Sequence, residues 1–337
     1  MRQHNLMLNR RNWMSAAGSL CAASALLPAT VSSAGDKPVQ GDNGDGSPES
    51  PQYIEQPLSH WRIGLILTTP VACTNGLATF PVPSNWPEQK ITIRNQEVDP
   101  EVTRWQVRDL GGGTQQVVLQ MPRINAGAKV SALFEFDIER DRIQPPEDTS
   151  ALIIPKSISR ELRLYMGVSP EIDTTSRIIR NVAVELEKEP VDNAWQRVEQ
   201  VYDYVRDKVQ YVEGDIKKAS KALLDGSGDC EEMTSLFVAI CRNLGIPARV
   251  VWIPDHSYPE FYLETPDKKG YWYPCQVAGT RQFGRMDEAR PVLQKGDRFR
   301  VPEKKRETVR YVAEYFRCDR RGNGAPRPNF VREAFEL

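Results

Sequence analysis

Histidine is scarce in this chain of 337 residues: there are three, His4, His60 and His256. His4 lies in an N-terminal segment expected to be removed, and the two that remain are too few for a multi-histidine zinc centre. The six cysteines include no Cys-x-x-Cys pair, which removes the commonest zinc and dithiol-redox signatures. No charge of one sign dominates either. Lys and Arg number 44 against 45 Asp and Glu, a net of −1, which excludes a nucleic-acid binder working through a basic face. What is present is ordinary for a soluble globular protein: 40% hydrophobic and 26% charged residues. At roughly 150 residues per domain the length suggests about two domains.

The first 34 residues hold Arg2, Arg10 and Arg11 and no acid. The Arg10-Arg11 pair precedes Asn12-Trp13-Met14 and a mildly apolar, Ala- and Ser-rich run that ends at Val31-Ser32-Ser33-Ala34, small residues suited to signal peptidase. Paired arginines in this setting resemble a twin-arginine export signal, so residues 1–34 are expected to direct export to the periplasm or beyond. Ser, Gly and Pro make the run a poor membrane span, and no stable membrane insertion is expected after cleavage. Removal leaves 41 basic and 45 acidic residues and five cysteines, an odd number that leaves at least one thiol free. Residues 35–52, rich in Gly, Asp, Ser and Pro, read as a disordered linker. Within it Asp42 to Gly46 faintly resembles the start of a calcium loop but lacks the later acidic ligand.

From Tyr53 the chain changes to short strand-like runs: Ile63 to Leu67, Ala78 to Val82, Lys90 to Arg94, Arg104 to Val107, Gln116 to Gln120 and Lys129 to Asp137. Turn signals such as Thr74-Asn75-Gly76 and Gly111-Gly112-Gly113 separate them, which predicts a β-sandwich over 53–145. It holds no cluster of nucleophile, base or metal ligands, and His60 beside Trp61 is expected to be structural. Helical spacing follows at Ile178, Ile179 and Val182, then at Trp195, Val198, Tyr202, Val205 and Val209.

Residues 226–253 carry the chemistry. Met233, Leu236, Phe237, Ile240, Cys241 and Leu244 recur at helical spacing, with Gly245 and Pro247 to stop the helix. Asp229 is a natural cap and Glu231 and Glu232 fall in the favoured first turn, so Cys230 stands at the helix N-terminus. Unpaired N–H groups there stabilise a thiolate and can receive an oxyanion. Cys241, inside the apolar stripe, reads as a small core residue. Strand-like runs follow at Ala248 to Ile253, from His256 to Glu264, and at Tyr271 to Gln276. A cysteine nucleophile needs an imidazole, then a third group to orient it.

Three ordered motifs resemble the transglutaminase-like superfamily: Gly228-Asp229-Cys230, then Leu244-Gly245-Ile246-Pro247-Ala248-Arg249, then His256-Ser257-Tyr258-Pro259-Glu260. The resemblance implies an α+β fold: an N-terminal β-sandwich, then a papain-like domain over 165–302 with its Cys-bearing helix packed on an antiparallel sheet. Residues 303–337 would be a C-terminal strand and tail. It further implies Cys230 as nucleophile and His256 as base. Where the family has Asp after Trp-x-Pro, Trp272-Tyr273-Pro274-Cys275-Gln276 puts Gln276 in the orienting place. A neutral amide accepts the imidazole N–H but cannot stabilise imidazolium with a full charge, and Asp255 and Glu260 stand as alternatives. The run from Arg249 to His256 is also shorter than in many relatives. The expected function is acyl transfer from a protein or peptide amide through a Cys230 thioester, with water as acceptor and no cofactor. Crosslinking to an amine, or non-catalytic peptide binding at the cell envelope, are the alternatives.

Overall fold

Period-two burial governs the first half of the molecule. In the computed structural model, which describes residues 46–305 and 307–337, eight strands precede the first α-helix. They are β1 (Gln52–Ile54), β2 (Ser59–Thr68), β3 (Ala72–Val82), β4 (Gln89–Val98), β5 (Arg104–Asp109), β6 (Gln115–Ile124), β7 (Lys129–Arg140) and β8 (Arg142–Gln144). In β7 the residues Val130, Ala132, Phe134, Phe136 and Ile138 are all buried and their neighbours face outward, the pattern of a strand with one face on a core. Strands β3, β6 and β5 make one antiparallel sheet and β2, β7 and β4 the other, and their inner faces enclose a common core. His60, on β2, bonds Asp137 of β7 through Nδ1 at 2.7 Å, a structural position.

Helical periodicity then takes over in α1 (Arg177–Lys188) and α2 (Ala194–Lys208), followed by the short β9 (Gln210–Tyr211), α3 (Ala219–Asp225) and β10 (Ser227–Gly228). Helix α4 (Cys230–Asn243) is buried on every side from Cys230 to Arg242. It is the axis of its domain: α1, α2 and α3 pack around it and an antiparallel sheet covers the remaining face. That sheet comprises β11 (Ala248–Ile253), β12 (His256–Glu264), β13 (Gly270–Gln276), β14 (Gln282–Phe283) and β15 (Gln294–Lys295), in the order β14-β13-β12-β11-β15. The fold is thus the expected α+β arrangement of a β-rich N-terminal region followed by a cysteine helix on an antiparallel sheet.

The chain ends differ from what local pattern suggests. The export signal 1–34 and the linker as far as residue 45 lie outside the described residues. Residues 47–50, still within the predicted linker, form a turn fastened to β13: Ser47 Oγ meets the Tyr271 hydroxyl at 2.8 Å, and the Tyr273 hydroxyl donates to the Glu49 carbonyl at 2.6 Å. At the other end, β16 (Tyr315–Arg321) and β17 (Arg327–Phe335) join the sandwich rather than the papain-like sheet or a loose tail. Strand β16 borders β3, and β17 runs along β2 for nine residues from Arg327–Thr68 to Phe335–His60. The part from Asp319 on reads as tail, because the strands it pairs with, β3 and β2, lie near the start of the described chain. Ahead of β16, an isolated bridge joins Phe299 to Val309. Among the described residues no helix is long and apolar enough to cross a membrane.

The alternation that buries β7 continues to its last residue, and that residue is Arg140. Its guanidinium lies 3.4 Å from Glu88, which meets Lys295 of β15 at 2.6 Å; Lys295 meets Glu260 of β12 at 2.6 Å, and Glu260 meets Arg249 of β11 at 2.7 Å. Charges alternate along this chain across the domain boundary, and none of the five side chains is more than 5% exposed. Arg140 also donates to the Tyr258 hydroxyl at 2.9 Å, and Arg249 stacks 3.9 Å over Trp272. Apolar contact among Trp86, Ile143, Val251, Ile253, Tyr258 and Met286 surrounds the network.

Burial pushes the Glu88 carboxyl up, but Lys295 and Arg140 outweigh it and hold the group at about 2. A depressed carboxyl stabilises the fold fully above its ordinary 4.5, and that contribution is lost as pH falls toward 2. Replacing the central cation, Lys295→Met, leaves two buried carboxylates without it and should cost about 3–5 kcal/mol in urea unfolding. Acid unfolding of the variant should begin at higher pH than in the parent. An unchanged midpoint at both neutral and acid pH would show that the network is energetically idle.

Candidate active site

The turn between β10 and α4 sets the first functional atom. Gly228 has no room for a side chain, since a Cβ there would stand 2.7 Å from the Glu232 Cβ. Asp229 caps the helix in extended geometry, its carboxylate accepting the Glu231 N–H at 2.8 Å, while Glu232 reaches back to accept the Asp229 N–H at 2.8 Å. This reciprocal capping box leaves Cys230 as the first residue of a helix whose dipole favours an anion at that end. The cysteine is 9% exposed.

The second functional side chain comes from the turn joining β11 to β12, where Asp255 takes a left-handed conformation at φ 56° and His256 opens the next strand. His256 Nε2 lies 2.9 Å from Gln276 Oε1 at the end of β13. With Oε1 accepting, the imidazole proton sits on Nε2 and leaves the Nδ1 lone pair as the basic site. Gln276 is itself held through its backbone: its carbonyl accepts the Tyr202 hydroxyl at 2.8 Å and Arg206 Nη1 at 3.3 Å, both from α2.

The two alternative orienting acids are placed elsewhere. Glu260 is committed to Arg249 and Lys295 in the buried network, and Asp255 occupies the turn while His256 is bonded to Gln276. The Arg249 and Glu260 of the sequence motifs therefore hold the sheet and the domain boundary together. Tyr258 shares their buried network, and Tyr262 packs against Trp272. Cys241 and Cys275 are fully buried, and burial raises both thiols far above the ordinary range, as suits inert core residues. None of the five described cysteines is in a disulfide.

Two features had no signal in the sequence. A loop ion pair, Glu288–Arg290, lies beside the β11–β12 turn, with Arg290 Nη1 donating to the Pro254 carbonyl at 2.8 Å. A cavity of about 600 Å³ opens beside Glu231 in the first turn of α4. Ile216, Trp252, Val309, Arg310 and Tyr311 line it, with Thr79 and Gln116 from the sandwich. Most of the lining comes from the stretch between Val301 and Tyr315, and the rest from the sandwich and the helical region, so no local motif announces the cavity.

Comparison with known proteins now bears on this geometry. Residues 180–277, which contain the cysteine helix, His256 and Gln276, match the model of the transglutaminase-like superfamily. This segment is a transglutaminase-like domain. The fold of the whole molecule is similar to a candidate cysteine protease from Cytophaga hutchinsonii, with a TM-score of 0.56 at 14% identity, covering 85% of this chain and 94% of that one. A weaker similarity joins it to the periplasmic domain of TgpA from Pseudomonas aeruginosa, with a TM-score of 0.34 at 14% identity over 71% of this chain and 74% of that one. No curated protein sequence matches significantly.

In the transglutaminase-like domain the cap itself titrates. Burial, and then the hydrogen bond shared with Asp229, push the Glu232 carboxyl up to about 7. A raised carboxyl means that the folded state keeps a proton the unfolded chain releases. Its stabilising effect is complete below about 4.5 and fades as pH rises through about 7. Glu232→Gln removes that dependence while keeping a donor for Asp229. The variant's thermal midpoint should gain on the parent's from pH 4.5 to 7 and hold a constant lead above; parallel curves across this range would refute the assignment.

Proposed function

We propose that this protein is an exported cysteine hydrolase of peptide or amide bonds, with Cys230 as nucleophile, His256 as base and acid, and Gln276 as the orienting group. The observation that carries the proposal is the 2.9 Å bond from His256 Nε2 to Gln276 Oε1, within a domain whose cysteine heads a capped helix. The Cys230 thiolate attacks the amide carbonyl carbon, and the resulting oxyanion accepts the Cys230 backbone N–H. The C–N bond breaks as the His256 imidazolium gives its proton to the departing amine, leaving an acyl thioester on Cys230. His256, now neutral, takes a proton from water as the water oxygen attacks the thioester. The carboxylic acid leaves and the thiolate–imidazolium pair is restored.

The open cavity lined by Glu231, the residue after Cys230, supports a peptide substrate, because it is of a size that holds a large side chain. Export is supported by the Arg10-Arg11 segment and the small residues that end it. Amine transfer would use the same thioester, with a lysine amine in place of water.

The test is iodoacetamide labelling of Cys230 against pH, read by mass spectrometry, followed by assays for peptide cleavage and for amine incorporation. Labelling should already be fast near pH 6, and His256→Ala should slow acylation by about 10²–10⁴-fold. Gln276→Glu keeps the side-chain length and adds a charge, so imidazolium should persist to a pH roughly one unit higher. A Cys230 that titrates as an ordinary thiol near 8.5, unaffected by His256→Ala, would overturn the enzyme in favour of a peptide-binding module. Amine incorporation exceeding hydrolysis would make the protein a crosslinking enzyme.

A further inference from the structure

A thiolate–imidazolium pair oriented by a neutral amide lacks the negative charge that a carboxylate partner supplies. The loop between β14 and β15 holds a pair of opposite charges beside it. Arg290 grips Glu288 with two donors, Nε to Oε1 at 2.9 Å and Nη2 to Oε2 at 2.7 Å, and its backbone N–H also bonds Oε1 at 3.0 Å. Its remaining nitrogen, Nη1, donates to the Pro254 carbonyl at 2.8 Å, two residues before His256. The pair is therefore fastened to the turn that launches the catalytic histidine. Its side chains are 17% (Glu288) and 37% (Arg290) exposed.

The electrostatics have a consistent sense. Burial raises the Glu288 carboxyl, its bonds to Arg290 lower it further than that, and the His256 imidazolium adds to the lowering. Arg290 is raised first by its bond to Glu288; burial lowers it, and the charges of Glu288, Asp255 and Cys230 raise it again. The carboxylate thus senses the imidazolium and the guanidinium senses the thiolate. Other charges face the dyad: Asp229, Glu231 and Glu232 at the start of α4, with Arg310 3.6 Å from Glu231, and Asp255 in the histidine's own turn. Arg206 is bonded to the Gln276 carbonyl.

We propose that Glu288 and Arg290 are positioning residues of the dyad, fixed on the Pro254 carbonyl so that the carboxylate supports the His256 imidazolium and the guanidinium supports the Cys230 thiolate, supplying the charge that Gln276 lacks. This rests on the Cys230–His256 assignment above. It explains how a site with a glutamine in the orienting place keeps a charged resting state.

The test reads the two ionisations separately. In Cys230→Ala protein, the His256 imidazole is titrated by NMR with and without Glu288→Gln, and His60, bonded to Asp137 in the sandwich, serves as internal reference. Glu288→Gln should lower the His256 midpoint by roughly one pH unit and leave His60 unmoved. In protein that retains Cys230, Arg290→Gln should raise the pH at which iodoacetamide labelling turns on, again by roughly one unit. Arg290→Lys, which keeps the charge, should restore most of that shift. Unmoved midpoints in both experiments would overturn the proposal and leave the pair as a loop fastener, whatever the change in thermal stability. Because the imidazole titration is made without the nucleophile, an inert Cys230 would refute the enzyme while a moved His256 midpoint still upheld the Glu288 arm.

Discussion

A single buried carboxylate, Glu260, ties the molecule together. It stands on the middle strand of the papain-like sheet, takes Arg249 from the neighbouring strand, and takes Lys295 from the strand beyond. Through Lys295 it is linked to Glu88 and Arg140 of the sandwich. Removing charges from water is costly, and such a chain persists only when each member is flanked by opposite charge and excluded from solvent. Here that condition fixes the two domains in one relation, since a shift at the boundary would strand a charge. The strand that carries Glu260 begins at His256, so the same constraint sets where the imidazole stands.

Cys230 depends on a different element. Helix α4 is enclosed by three helices and the sheet, and its first turn is closed by reciprocal bonds between Asp229 and Glu232. The cysteine is placed by its turn: Gly228 allows the close approach, Asp229 stops fraying, and α4 packs against the strand bearing His256. Side chains held at the ends of rigid elements are placed more precisely than side chains on loops. The amide bonded to His256 is equally supported, because α2 grips the carbonyl of Gln276 through Tyr202 and Arg206.

The sandwich does more than precede the papain-like domain. It is completed by two strands from the far end of the chain, β16 on one sheet and β17 on the other. It also contributes Thr79 and Gln116 to the cavity beside the first turn of α4. The family match covers residues 180–277 alone, whereas the fold similarity to the Cytophaga hutchinsonii protein extends over 85% of the chain. The β-rich half is thus part of the architecture that surrounds the site.

Elements whose cause is local were legible in the chain. Strand alternation in β7, the helical stripe from Met233 to Leu244, the Asp229 cap and the Gly245-Ile246-Pro247 stop all depend on neighbours within a few residues, and each is where its pattern put it. So, through the motifs, were the cysteine at the helix tip, the histidine at a strand start and the amide bonded to it. Tertiary structure alone decided the rest, because those partners are distant along the chain. Strand β17 looks like a charged tail until it pairs with β2 and its Phe330 meets Phe80 of the opposite sheet. Glu260 could orient a histidine or brace a sheet, and only the arrival of Lys295 and Arg249 assigns it to the second. Glu288 and Arg290 resemble any surface pair, and they acquire meaning because the Pro254 carbonyl brings them beside the histidine's turn.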